Sequence, residues 1–268
     1  MTAISINELV LTQDLGEREL DCPRHGPYRA QGKRFMVGKG REVWTSCPAC
    51  RRDLELDERR RKDEALAIAR VAAIESMIKQ TAIPSRFIGR TLDNFKVENE
   101  GQGKALAISR EFAENFPAHL RRGSSLIFSG AAGTGKLHLA SAILQAILPA
   151  HVGAYMTFMA MIRLIRETWH PTSTRRESEV IAELGTIPLL VIDEIGVQYG
   201  TEAEHTLLFE VMDRRYRDQR PTILMTNQDK DGFKRFVGDR VYDRMTEVAR
   251  WVSFDWGSYR TQARKEFQ

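Results

Sequence analysis

The sequence has little cysteine: three residues in 268, all of them before Arg51. Three thiols cannot all pair within one chain, and a chain this long needs no disulfide staples, so their spacing is read as metal chemistry before disulfides. Long apolar runs are missing too. No stretch approaches the roughly 18 consecutive apolar residues of a spanning helix, and the start Met1-Thr2-Ala3-Ile4-Ser5 lacks the basic-then-apolar layout of a signal peptide. A cytoplasmic protein with no membrane partner is expected. Neither sign of charge dominates. The 40 Lys and Arg against 36 Asp and Glu leave +4, and thirteen basic against nine acidic residues from Asp213 onward carry that whole excess, a weak hint of nucleic acid. Gly 19, Pro 9 and the lack of repeats or low-complexity tracts exclude a collagen-like or broadly disordered chain. At 42% hydrophobic, the chain can build one large domain, or a medium one plus a small one.

The texture changes near Gln80-Thr81-Ala82, just before Pro84, which divides the chain into 1–80 and 81–268. Upstream, residues 54–79 read as a helix of about seven turns, charged at its start and apolar along one side of its second half. Its basic run Arg59-Arg60-Arg61-Lys62 is either a solvated helix surface or a nucleic-acid contact. Downstream, short β-branched and apolar runs at 125–129, 154–157, 188–192, 222–226 and 251–254 alternate with helical spacing at 139–147, 161–165 and 207–212. This alternation predicts an α/β domain with a parallel sheet covered by helices.

The run 126–129 leads into Gly130-Ala131-Ala132-Gly133-Thr134-Gly135-Lys136 and then into a helical pattern. That is the strand, loop and helix context of a P-loop. Glycines let successive backbone N–H groups face a polyphosphate, the helix adds its positive end, and Lys136 adds a point charge for the outer phosphates. One position departs from the motif. Where Ser or Thr normally offers Mg²⁺ a hydroxyl, this chain has Leu137, so slow hydrolysis is expected. His138 either reaches the site or packs beside its apolar neighbours.

About sixty residues later, Leu189-Leu190-Val191-Ile192-Asp193-Glu194 puts two carboxylates at the end of a buried strand, a Walker B pattern. Asp193 suits Mg²⁺, and Glu194 suits polarising the water that attacks a γ-phosphate. A third strand ends in Asn227, whose amide is placed to orient that water, although Asn at a strand end is also an ordinary turn residue. Arg240, Arg244 and Arg260 lie far from the loop in sequence. An Arg completing a neighbouring subunit's site would couple hydrolysis to assembly.

From Ile83 onward the chain resembles the DnaC-type replicative helicase loaders of the AAA+ ATPases, including phage and prophage versions. The resemblance rests on Ile83-Pro84-Ser85-Arg86-Phe87, Leu190 to Gln198, Asp213-Arg214-Arg215, Arg220-Pro221-Thr222, Met225-Thr226-Asn227, Arg240 to Met245 and Asp255 to Arg260. It implies a AAA+ fold that binds ATP with Mg²⁺ through Gly130, Gly133, Thr134, Gly135, Lys136, Leu137, His138 and Asp193. It further implies Glu194 as the catalytic carboxylate, Asn227 as sensor 1, Arg244 as a finger acting across a subunit boundary and Arg260 as the sensor 2 arginine. Helices between Met159 and Leu184 are implied to line a path for single-stranded DNA. Trp169 sits where the family places an aromatic near that path, while its neighbours Met161, Leu164 and Ile165 give it a core alternative.

Cys22-Pro23-Arg24-His25 and Cys47-Pro48-Ala49-Cys50 are two C-x₂-ligand pairs separated by twenty-one residues. Four S and N ligands presented by two tight turns satisfy tetrahedral Zn²⁺, so Cys22, His25, Cys47 and Cys50 predict a structural zinc ribbon. The segment between them, 28–44 with Gly38-Lys39-Gly40 at its centre, reads as a hairpin. Loaders of the family use an N-terminal domain to grip the hexameric helicase; contact with DNA is the rival use of this module.

The combined reading is a zinc-ribbon-like domain with a long helix, then a AAA+ ATPase. It would load the replicative hexameric helicase onto single-stranded DNA while self-associating through its ATPase domains. A transposition helper ATPase assembling on double-stranded DNA is the alternative within the superfamily. A small-molecule P-loop kinase is the alternative outside it, weakened by Asn227, Arg244 and Arg260.

Overall fold

The computed structural model describes residues 12–36, 41–62, 81–148, 150–196, 201–259 and 261. Arg260, the centre of the 28–44 hairpin, Val197-Gln198 and the second part of the long helix lie outside them. The chain divides into two compact units, Met1–Ala72 and Ala73–Gln268.

In the first unit, β1 (Thr12–Cys22), β2 (Gly26–Phe35) and β3 (Glu42–Trp44) form an antiparallel sheet in that order. Cys22 pairs with Gly26, so the turn joining β1 to β2 carries Pro23, Arg24 and His25. Gly26 takes φ 75 there, a left-handed backbone that only glycine adopts freely. The expected hairpin is present as β2 and β3, in the register Gly32↔Trp44 to Arg34↔Glu42. Trp44 lies across Gly32, where a Cβ would come within 2.8 Å of the indole ring. Helix α1 begins at residue 48, before the expected 54, directly after Cys47, and is described to residue 62.

In the second unit, β4 (Ser125–Gly130), β5 (Gly153–Thr157), β6 (Leu189–Ile195), β7 (Thr222–Thr226) and β8 (Ala249–Phe254) form a five-stranded sheet in the order β5-β6-β7-β4-β8. Every pairing is parallel. Period-two alternation sends side chains of the buried strands into two cores. Leu126, Phe128 and Val191 join one core with α2 (Glu100–Glu114), α3 (Phe116–Arg122) and α4 (Lys136–Ile147). Ile127, Leu190 and Ile192 join the other with α5 (Phe158–Arg166), α6 (Glu177–Thr186), α7 (Glu202–Arg217), α8 (Lys230–Val237) and α9 (Asp239–Val248).

One charge lies inside this packing. Arg215 is fully buried, donating to the carbonyls of Leu184 and Ile187 at 2.6 and 2.9 Å and to Thr222 Oγ1 at 2.8 Å. Burial pushes its guanidinium down to about 9, still above neutral, and these acceptors satisfy a cation that ties α6 and α7 to β7. Among the described residues no helix is long and apolar enough to cross a membrane.

Candidate nucleotide and metal sites

The loop after β4 closes as a phosphate cradle for steric reasons. Gly130, at φ 149, admits no side chain because a Cβ would strike the Phe254 carbonyl of β8, and Gly135, at φ 101, has the Phe95 ring 2.8 Å from where a Cβ would sit. Thr134 Oγ1 donates to the Ala131 carbonyl at 2.8 Å and braces the turn. Helix α4 starts directly at Lys136, so its unpaired N–H groups face the loop. The Lys136 ammonium is buried, donating to the carbonyls of Gly130 and Ala131 and to Asn227 Oδ1 at 2.9 Å. A residue 91 positions downstream therefore meets the P-loop lysine, because β7 lies beside β4 in the sheet.

Asp193 and Glu194 belong to β6 itself, which runs on to Ile195, past the expected end at residue 192. Glu194 takes φ 61, and the pairing with β7 shifts register between Ile192 and Ile195. A non-glycine residue in this region stores strain, a feature that clusters at functional sites. The kink turns Glu194 to the surface and lets its N–H donate to Asp193 Oδ1 at 2.7 Å. Asp193 Oδ2 accepts from the Tyr155 hydroxyl at 3.0 Å. Burial raises the Asp193 carboxyl above its ordinary value, opposed by the Glu194 N–H, the Tyr155 hydroxyl and Lys136.

The P-loop from Ala132 to Lys136, Asp193, Glu194 and Asn227 line one cavity of about 310 Å³. Its floor holds Gly133, Thr134, Gly135, Lys136, Leu137, Asp193, Glu194 and Asn227; Arg86, Phe87, Arg90, Phe95 and Lys96 form another wall. Carboxylate oxygens are the hard donors Mg²⁺ takes, so Asp193 and Glu194 fit it, while Leu137 offers no donor and packs against the core. His138 lines the cavity but serves its wall: Nε2 donates to the Thr91 carbonyl at 2.9 Å, the ring meets Phe95 edge-on, and burial lowers its pKa. Trp256 closes the far side by donating to the Thr134 carbonyl at 2.9 Å, and the Tyr259 N–H donates to the Gly133 carbonyl at 3.0 Å.

Gly130 reaches the site only through its carbonyl, which accepts from Lys136, and does not line the cavity; Arg244 and Trp169 stand apart from it altogether. Arg244, on α9, pairs with Asp213 of α7 at 2.6 Å and lies over the Phe209 ring at 4.9 Å. Trp169 follows α5 and is 54% exposed, so the core alternative is set aside. Its indole N–H donates to Glu177, and Arg166 lies over its ring.

Residues 99–267 match the model of the IstB-like ATP-binding protein family. The replicative helicase loader DnaC of Buchnera aphidicola subsp. Acyrthosiphon pisum is 35% identical over 202 residues, 75% of this chain and 78% of that protein. The chain belongs to the DnaC helicase-loader family of IstB-like ATP-binding proteins. The DnaC loader of Escherichia coli K12 is 36% identical over 173 residues, 64% of this chain and 69% of that protein. A crystal structure of the DnaC helicase loader superposes with a TM-score of 0.58 at 23% identity, covering 63% of this chain and 99% of that one, a likeness of fold. The parallel sheet and its P-loop are thus those of a AAA+ ATPase, and ATP is the nucleotide of the family.

In the DnaC-like chain the first unit brings Cys22, His25, Cys47 and Cys50 together, with ligand atoms all within 4.8 Å of one another. His25 presents Nδ1 to the three sulfurs, at 3.7 Å from Cys22, 3.8 Å from Cys47 and 3.3 Å from Cys50. The Arg24 backbone N–H lowers the Cys22 thiol to about 6, and the hydrogen bond with Cys22 raises the Cys50 thiol to about 11. Three sulfurs and one imidazole nitrogen in a closed cluster fit tetrahedral Zn²⁺. His25 Nε2 points at Asp53 Oδ2, 3.1 Å away, and Arg24 reaches the same oxygen at 3.3 Å. Such a carboxylate fixes the tautomer and raises the basicity of a ligating imidazole.

Sequence reasoning missed Tyr155, Asp53 and the 86–96 wall. Asp53, three residues beyond Cys50, carried a weak signal as a carboxylate beside a ligand pair. Tyr155 carried none, since a strand tyrosine is common in any buried sheet.

Proposed function

We propose that this protein is an ATP-dependent loader of the hexameric replicative DNA helicase, acting on single-stranded DNA at replication initiation. The observation that carries the reading is the 35% identity over 202 residues to a replicative helicase loader, together with a P-loop, Asp193, Glu194 and Asn227 gathered on one cavity. Lys136 and the loop N–H groups would hold the phosphates, and Asp193 would hold Mg²⁺, which neutralises phosphate charge when bound. Glu194 orients the attacking water, and Asn227, released from Lys136, contacts the outer phosphate. Arg244 acts across the boundary between subunits, so hydrolysis follows self-association. Leu137 makes turnover slow, which suits a switch better than a metabolic enzyme.

The zinc-ribbon unit docks the helicase, its Zn²⁺ structural, and Trp169 stacks on a base of single-stranded DNA. The protein works in the cytoplasm, as two domains divided near residue 80. The test is light scattering on a sizing column with the full-length protein and a bacterial replicative helicase hexamer, with and without ATP and Mg²⁺. A stable complex is expected, lost in Cys47→Ser/Cys50→Ser, with ATP-dependent release abolished in Lys136→Ala. Failure to bind any helicase hexamer, together with ATP-dependent filaments on duplex DNA, would instead support a transposition helper.

A further inference from the structure

The P-loop of this chain lacks the hydroxyl that normally sits beside the Walker B aspartate, yet that aspartate has a hydroxyl partner. Tyr155 stands on β5, the edge strand next to β6, in the register Tyr155↔Val191, two residues before Asp193. Its hydroxyl donates to Asp193 Oδ2 at 3.0 Å. The Tyr155 backbone N–H is anchored to the Thr81 carbonyl at 2.7 Å, and its side chain is buried in the same apolar cluster that Leu137 packs against. Position 137 thus contributes packing where a polar side chain is usual, and a phenol from the neighbouring strand reaches the carboxylate.

We infer that Tyr155 is a positioning residue that supplies the hydrogen bond to Asp193 which Leu137 cannot, presenting the carboxylate for Mg²⁺. The inference rests on the ATPase reading of the cavity. With Oδ1 held by the Glu194 N–H and Oδ2 by Tyr155, the carboxylate cannot rotate about its terminal bond without breaking a hydrogen bond. Each oxygen keeps one lone pair for an ion or its water. The ring of Tyr155 is rigid and buried, so the cost of ordering this donor is met by folding. An added hydroxyl at 137 and the phenol at 155 are then alternative solutions to the same need.

The experiment is a fluorescence titration of a labelled ATP analogue against Mg²⁺ on full-length protein, with Tyr155→Phe, Leu137→Thr and the double variant, alongside hydrolysis rates. Tyr155→Phe should raise the Mg²⁺ concentration for half-maximal nucleotide binding by roughly tenfold, the scale of a hydrogen bond to a charged group, while leaving Mg²⁺-free binding in place. Adding Leu137→Thr to Tyr155→Phe should bring the Mg²⁺ dependence back toward that of the natural chain. An unchanged Mg²⁺ titration in Tyr155→Phe overturns the inference. So does a loss that is equal with and without Mg²⁺ and is not rescued by Leu137→Thr, which would make Tyr155 a packing residue only. Absence of nucleotide binding in the natural chain itself would overturn the ATPase reading, and this inference with it.

Discussion

Arg244 and Asp213 form an ion pair 2.6 Å long between α9 and α7, and the same carboxylate also holds Arg217 at 2.9 Å. The Arg244 guanidinium is stacked over Phe209 as well, so it is held in one direction at the protein surface while 28% of its side chain stays exposed. A guanidinium fixed by an aromatic face and one carboxylate keeps donors free for an anion brought by another subunit. Arg244→Ala should bind nucleotide normally and lose about a thousandfold in assembly-stimulated hydrolysis, the lower end of what an arginine finger contributes. Mixing it with Lys136→Ala subunits should restore turnover, because each variant spares the other's half of a shared site. Normal turnover by Arg244→Ala alone would refute the assignment.

Asn227 Oδ1 accepts a hydrogen bond from the Lys136 ammonium at 2.9 Å, so the amide and a phosphate compete for the same donor. Asn227→Ala should therefore keep or slightly improve nucleotide affinity while hydrolysis falls about a hundredfold, the cost of losing one preorganised polar group. Equilibrium binding and single-turnover hydrolysis, measured side by side, separate the two effects.

The cysteine cluster should contain one Zn²⁺ per chain, released by a thiol-modifying reagent and detected with a colorimetric chelator. Asp53→Asn should weaken Zn²⁺ binding by about tenfold, since the carboxylate 3.1 Å from His25 Nε2 orients the imidazole without touching the ion. Competition with a chelator of known affinity reads that shift directly.

Trp169 is more than half exposed, so Trp169→Ala should leave thermal stability within about 0.5 kcal/mol of the natural chain. Affinity for an unlabelled single strand should fall roughly tenfold to a hundredfold if one base stacks there. Unchanged affinity in a filter-binding titration would remove Trp169 from the DNA path.

Arg215→Met deletes a cation that satisfies the carbonyls of Leu184 and Ile187 and the Thr222 hydroxyl inside the core. Leaving these acceptors dry should cost at least about 3 kcal/mol, measured as a lower urea midpoint. A midpoint equal to the natural chain's would mean that water enters and replaces the guanidinium.

The P-loop, the apolar strand ending in Asp193-Glu194 and the two C-x₂-ligand pairs were legible in the sequence because each is a local device. Glycines, a lysine and a helix start act within seven neighbouring residues, and a tight turn presents two metal ligands by itself. The buried strands were legible for a related reason: central parallel strands must be apolar on both faces, which leaves continuous runs. Strand β1 was missed, because its residues are mostly exposed and so show no apolar alternation. What only the tertiary structure decided are the meetings between distant segments: Asn227 with Lys136, Tyr155 with Asp193, Arg244 with Asp213 and Asp53 with His25. The strand order β5-β6-β7-β4-β8 places β7 beside β4 and β5 beside β6, and sequence spacing says nothing about which strands become neighbours. Local motifs thus named the chemistry, and sheet order, set by how the helices pack on its two faces, chose the partners that orient it.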